Sequence, residues 1–159
     1  MKILIVSDTQ GRHDNLRKVI YKERPFDILL HAGDVEGGED DIRELAGCDC
    51  RIVMGNNDYF SDLPSELEFK IEGYKFFLSH GHRYGVSMGP DRFREEAENR
   101  DVDYAIYGHT HKPYISKEGN LTVMNPGSMS YPRQEGRNPS YIIMESLENG
   151  GFHIAIKYF

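Results

Sequence analysis

The sequence predicts an α/β fold built on two sheets, and three observations carry that reading. Its first 54 residues alternate continuous apolar strands with amphipathic helices. From residue 66 onward, paired apolar segments flank short glycine-containing turns at the spacing of antiparallel hairpins. The 159 residues, 38% hydrophobic and 28% charged, suffice to bury roughly two-thirds of the surface exposed by the unfolded chain. One domain spanning residues 1–159 is therefore expected without disulfides or structural metal, which excludes a knottin, a zinc finger or a collagen.

Lys2 to Ser7 reads as a continuous apolar strand. Asp14 to Glu23 sets Leu16, Val19 and Ile20 at helical spacing and stops before Pro25, as an amphipathic helix would. A buried strand over Asp27 to His31, a helix over Asp40 to Ala46 closed by Gly47, and a strand over Arg51 to Met54 repeat the pattern. Three parallel strands covered by helices follow. Glu66 to Ile71 and Tyr74 to Ser79 then flank Glu72-Gly73 as a tight hairpin. Pro90 opens a helix running to Arg100, and Tyr104 to Tyr107 is a strand. Two more hairpins are predicted: Tyr114 to Ser116 with Leu121 to Met124 across Glu118-Gly119-Asn120, and Tyr141 to Leu147 with Phe152 to Tyr158 across Asn149-Gly150-Gly151. The hairpins are expected to build the second sheet.

The charge balance, 26 acids against 19 bases, argues against a partner that is an extended nucleic acid. No stretch approaches ~18 apolar residues and no signal-peptide core follows Met1, so neither a membrane partner nor export is expected, and the setting predicted is cytoplasmic. Cys48 and Cys50 then read as small reduced side chains. Phosphate-binding GxxxxGK, dinucleotide-binding GxGxxG and nucleophilic GxSxG motifs are absent, and Ser128 and Ser130 have no base beside them.

Chemistry concentrates where the strands end. Asp8, Asp34, Asn56, His80 and the pair His109 and His111 each follow an apolar strand, and open α/β sheets gather ligand sites along that edge. Gly33, Gly55 and Gly108 each precede a candidate ligand, where the missing side chain permits close approach. In His109-Thr110-His111 and His80-Gly81-His82, positions i and i+2 face one side of an extended chain. Carboxylates, an amide and several imidazoles without thiolate suit two divalent ions, Mn²⁺ or Ni²⁺ favoured with Fe²⁺ or Zn²⁺ also fitting, better than Ca²⁺. Two such ions imply a bridging carboxylate and a shared hydroxide that attacks phosphorus in line.

Asp8-Thr9-Gln10, Gly33-Asp34, Gly55-Asn56-Asn57-Asp58, His80-Gly81-His82, Gly108-His109-Thr110-His111 and Asn125-Pro126-Gly127-Ser128 together resemble the calcineurin-like metallophosphoesterases, in particular their small single-domain bacterial and archaeal phosphodiesterases. The resemblance covers nearly the whole chain. It implies a four-layer α/β/β/α sandwich with a di-metal site at the carboxyl ends of the strands. By the same resemblance, Asp8, Gln10, Asp34 and His111 hold one metal, and Asp34, Asn56, His80 and His109 the other, with Asp34 as the bridge. The implied activity is metal-dependent phosphodiester hydrolysis of a small phosphoester by a metal-bridging hydroxide.

Two positions depart from the family pattern. Gln10 stands where an imidazole is usual, and an amide oxygen is a weaker donor, so looser binding of that metal is expected. His13, close by in sequence, is a substitute ligand in principle but falls at a helix start. Asn57 stands where larger relatives carry a proton-donating His; an amide is no general acid, which leaves His82 as the candidate donor and favours acidic leaving groups. His82, Arg83, Arg12 and Arg133 are candidates for holding phosphate oxygens. The alternative function is a protein-binding scaffold, since the same fold serves that role with an impaired metal site in the retromer subunit.

Overall fold

A computed structural model describes all 159 residues. The strand β1 (Lys2–Val6) leads to the helix α1 (Asp14–Glu23), and β2 (Ile28–His31), α2 (Glu39–Ala46) and β3 (Asp49–Ile52) repeat the unit. The hairpin β4 (Glu66–Ile71) and β5 (Tyr74–Ser79) turns on Glu72 and Gly73, both at positive φ. Two short 3₁₀ turns over His82–Tyr84 and Val86–Met88 precede α3 (Asp91–Asn99) and β6 (Tyr104–Ile106). The hairpins β7 (Pro113–Glu118) with β8 (Leu121–Pro126), and β9 (Ser140–Ser146) with β10 (Phe152–Tyr158), complete the chain.

The strands form two five-stranded sheets, ordered β10-β9-β1-β2-β3 and β4-β5-β6-β8-β7. In the first, β1, β2 and β3 run parallel, with Ile5 beside Leu30 and His31 beside Ile52. The last hairpin departs from the sequence expectation, because β9 pairs antiparallel with β1 and extends the first sheet instead of the second. Its residues explain why. Tyr141 to Met144 are all buried, Ile142 and Met144 on one face and Tyr141 and Ile143 on the other, and only an inner strand covers both faces. The second sheet is also parallel at its centre, β5 to β6 to β8. Strand β3 starts and ends two residues before the predicted span, because pairing with β2 stops at Ile52 and the Met54 N–H donates instead to the Pro64 carbonyl at 2.8 Å.

Three apolar clusters separate four layers. Leu4, Val6 and Leu29 pack under Leu16, Val19 and Ile20 of α1 and Ile42 of α2. Ile3, Ile5 and Leu30 meet Phe76, Leu78 and Ile106 between the sheets. Phe77, Ala105 and Val123 pack under Phe93 and Ala97 of α3. Alternate residues of β1 thus serve two cores, which is why Ile3-Leu4-Ile5-Val6 is apolar without a break. The result is the α/β/β/α sandwich. No helix is long and apolar enough to cross a membrane.

Candidate metal centre

The ends of β1, β2, β3, β5 and β6 come together at one rim, where the connecting loops are tied to one another. The Asp8 N–H donates to the Gly33 carbonyl at 3.0 Å, that of Gln10 to the Asp34 carbonyl at 2.9 Å, and that of Gly108 to the His80 carbonyl at 3.1 Å. Five residues at this rim adopt left-handed backbone: Asp8 (φ 53°), Gln10 (φ 48°), Asp34 (φ 55°), His109 (φ 69°) and His111 (φ 61°). Such conformations cost about 1–3 kcal/mol each and persist where surrounding structure enforces them, typically at functional sites. Two glycines let the loops meet. A Cβ on Gly55 would lie 2.1 Å from Asp34 Oδ1, and one on Gly108 would lie 2.1 Å from Ser7 Oγ and 2.9 Å from Asp8 Oδ2.

The donor atoms converge. Ligand atoms of Asp8, Asp34 and His80 all lie within 4.8 Å of one another, and all three residues are buried. His111 Nε2 is 3.3 Å from Asp8 Oδ1, and His80 Nε2 is 3.4 Å from Asp34 Oδ2 and 3.9 Å from Asp8 Oδ1. His109 Nδ1 sits 3.0 Å from Asn56 Oδ1 and 3.2 Å from His80 Nε2. The Gln10 amide nitrogen is 3.4 Å from His111 Nε2. The structure therefore gathers Asp8, Gln10, Asp34, Asn56, His80, His109 and His111 in one place.

Their protonation makes the grouping a fit for cations. His80 Nδ1 bonds the Ala32 carbonyl and His111 Nδ1 the Tyr131 carbonyl, each at 2.7 Å. A carbonyl only accepts, so both Nδ1 atoms donate, and each ring turns Nε2 toward carboxylate oxygens, where a neutral imidazole offers a lone pair. Lone pair against lone pair is repulsive until a cation lies between them. Asp8 Oδ1, fully buried, has no hydrogen-bond partner, while Oδ2 accepts from Ser7 Oγ at 2.6 Å and the His109 N–H at 3.1 Å. Burial pushes the His80 ring toward neutrality, yet the Asp34 contact and the charges of Asp8 and Asp34 outweigh it and raise its pKa. Burial pushes the Asp34 carboxyl up, but His80 and the donors of Asn57 prevail and hold it at about 2.

Other expected residues take distinct places. Asn57 points both its backbone N–H (2.9 Å) and its amide (3.0 Å) at the Asp34 carboxylate. The His82 ring lies 5.4 Å from that of His80 and 6.2 Å from that of His109, its Nδ1 buried without a partner. His13 bonds the Gly37 carbonyl at 2.8 Å and faces that loop instead of the metal-capable group. Arg83 lines a separate cleft with Arg92, Glu95 and Glu96. The Arg12 guanidinium stacks over Tyr131 at 5.1 Å, and Arg133 lines a cleft together with Gln10 and His111.

Two residues at the base of the site had no role assigned from sequence. Asp58 accepts the N–H groups of Asp34 (2.9 Å), Glu36 (2.7 Å) and Gly55 (2.7 Å), stapling two ligand loops together. His31 accepts the Gly33 N–H through Nδ1 and so donates through Nε2 to Thr9 at 3.0 Å; burial drops its pKa to about 3, keeping it neutral. The available signal was position: His31 ends an apolar strand three residues before Asp34, and Asp58 follows Asn56 by two.

The comparisons with known proteins agree with this geometry. The chain is 31% identical over 150 residues to "Probable metallophosphoesterase YsnB" of Bacillus subtilis, covering 94% of this chain and 86% of that protein. It is 29% identical over 145 residues to a phosphodiesterase of Methanocaldococcus jannaschii, covering 80% and 83%. A crystal structure of a Streptococcus pneumoniae protein, described as a predicted phosphoesterase, superposes with a TM-score of 0.85 at 26% identity over 99% of this chain and 88% of that one. Since residues 1–149 match the calcineurin-like phosphoesterase superfamily domain, the chain belongs to that superfamily.

Proposed function

We propose that the chain is one catalytic domain that hydrolyses small phosphodiesters with two divalent ions, in a cytoplasmic setting. The observation that supports this best is the pair of imidazoles, His80 and His111, whose Nδ1 atoms are taken by carbonyls and whose Nε2 atoms face Asp34 and Asp8 from 3.4 and 3.3 Å. Asp8, Gln10, Asp34 and His111 would hold one ion, and Asp34, Asn56, His80 and His109 the other. Mixed imidazole and carboxylate donors favour Mn²⁺ or Ni²⁺. When bound, the ions supply Lewis acidity and activate water for attack at phosphorus.

The chain's own residues orient and hold protons. Asn57 fixes the Asp34 carboxylate through two donors, and the Ala32 and Tyr131 carbonyls set the tautomers of His80 and His111. Asn57 has no acidic proton to give a leaving group, which leaves His82 to serve the departing oxygen and favours esters with acidic leaving groups. Hydrolysis of bis(p-nitrophenyl) phosphate is the direct test. Chelation should reduce it by at least ~100-fold, and Mn²⁺ or Ni²⁺ should restore it. Undiminished hydrolysis by metal-free protein would overturn the reading. Gln10, an amide at an imidazole position, favours the scaffold alternative, which metal binding without turnover of any phosphoester would support.

Gln10 also carries a graded prediction. Its left-handed backbone is one that histidine tolerates, and its amide already stands 3.4 Å from His111 Nε2, so Gln10→His places a ring where the amide is. The first metal should tighten by roughly tenfold, and activity at limiting Mn²⁺ should rise while the saturated rate changes little. Calorimetric metal titration beside rate-versus-metal curves checks this; unchanged affinity would put position 10 outside the ligand set.

A further inference from the structure

An open cleft of about 630 Å³ borders the metal-capable group on its Gln10 and His111 side, and its wall carries Lys112, Arg133 and Arg137. All three cations are exposed, and none of them takes part in any ion pair of the molecule. In a chain with 26 acids and 19 bases, three neighbouring bases free of carboxylate partners run against the composition. The nearest acid in sequence, Glu135, pairs with none of them.

Arg133 and Arg137 are mounted on the segment that orients His111, and Lys112 follows His111 directly. The Arg133 N–H donates to the His111 carbonyl at 3.0 Å, and the Tyr131 carbonyl holds His111 Nδ1 at 2.7 Å. Arg137 closes a turn onto the Gln134 carbonyl at 3.0 Å, and the Gln134 amide ties the turn to the Asn138 carbonyl at 2.6 Å. A second cleft of about 440 Å³ shares Lys112 and Arg133 and is walled by Tyr107, Pro113 and Tyr114, a less polar surface next to the charged one. An anion against the three cations would thus lie in the cleft that His111 itself lines, with the tyrosine-walled cleft beside it open to the organic part of the same ligand.

We infer that Lys112, Arg133 and Arg137 form a subsite for a second phosphate, and that the favoured substrates are phosphodiesters carrying a terminal phosphomonoester, of the class of a 5′-phosphorylated dinucleotide. This deepens the phosphodiesterase reading and rests on it. Guanidinium groups match phosphate oxygens in pairs, and lysine adds a point charge. Exposed, screened contacts are individually small, so the three together are expected to give about a tenfold preference, fading as salt rises.

The test compares kcat/KM for a 5′-phosphorylated deoxydinucleotide and for the same dinucleotide without its 5′-phosphate, with Mn²⁺ at low salt. The phosphorylated form should be favoured about tenfold. The ratio should fall to near one in Lys112→Gln/Arg133→Gln/Arg137→Gln, and Arg137→Lys should retain most of it. A ratio near one in the unmodified protein, or one untouched by the triple substitution, overturns the subsite. A second readout needs no turnover: inorganic phosphate titrated into chelator-treated protein should shift the amide resonances of residues 112, 133 and 137, and absence of those shifts also overturns it. Shifts at these residues in a protein that hydrolyses neither dinucleotide nor bis(p-nitrophenyl) phosphate would support the subsite while refuting the phosphodiesterase reading.

Discussion

Asp34→Ala should reduce phosphodiester hydrolysis by at least ~10³-fold and weaken both metals at once. The expected size follows from the proposed bridging role: losing it removes charge stabilisation worth several kcal/mol, at about 1.4 kcal/mol per factor of ten. Backbone effects must be separated from loss of the carboxylate. Asp34 holds φ at 55°, and alanine there costs about 1–2 kcal/mol that asparagine largely avoids. Asp34→Asn is therefore the cleaner variant. It keeps the shape, the left-handed backbone and the anchoring of its N–H by Asp58 at 2.9 Å, and removes the charge together with one of the two oxygens that accept from Asn57. Calorimetric titration should find neither metal at wild-type affinity in either variant, whereas His111→Ala should chiefly empty the site nearest Asp8. Two undiminished metal sites in Asp34→Asn would refute the bridge.

The placement of these ligands was legible because strand ends are legible. Ile3 to Val6, Ile28 to Leu30 and Phe76 to Leu78 are continuous apolar runs, the mark of strands covered on both faces, and whatever follows such a strand lies at the rim of the sheet. Glycine before a ligand was legible too, although its structural meaning is contact between loops: Gly55 lies against Asp34, and Gly108 against Ser7 and Asp8. Sheet membership of the last hairpin was not deduced, since a turn fixes which strands pair with each other and not which sheet they join. The unbroken apolar run Tyr141 to Met144 held that information, because an outer strand of a hairpin layer would alternate. Asp58 and His31 escaped notice for another reason. Their partners are backbone N–H groups and a threonine hydroxyl, which leave no pattern of residue types to read.

Gly55→Ala tests whether that loop contact builds the site. A methyl group there would lie 2.1 Å from Asp34 Oδ1 and 2.4 Å from the Asp34 backbone nitrogen. Rotating a side chain would relieve the first clash and leave the second. Separation of the two loops is opposed by Asp58, whose Oδ2 accepts both the Asp34 N–H at 2.9 Å and the Gly55 N–H at 2.7 Å. The variant must either strain those bonds or move Asp34. Overpacking of this kind costs about 1–3 kcal/mol, which in a chain of this size lowers the melting temperature by about 2–4 °C per kcal/mol. Melting should be measured with chelator present, so that weaker metal binding does not masquerade as a packing effect. Displacement of a catalytic group by about 1 Å costs on the order of 10²-fold in rate, so activity should fall by about that factor even at temperatures where the variant is fully folded. Asp58→Asn weakens the staple without adding a methyl group, since an amide keeps only one of the two accepting oxygens, and should lower metal affinity with less effect on packing. A Gly55→Ala protein with wild-type melting, metal affinity and rate would mean that the Asp34 loop adjusts freely, and that its left-handed geometry is not what holds the carboxylate in place.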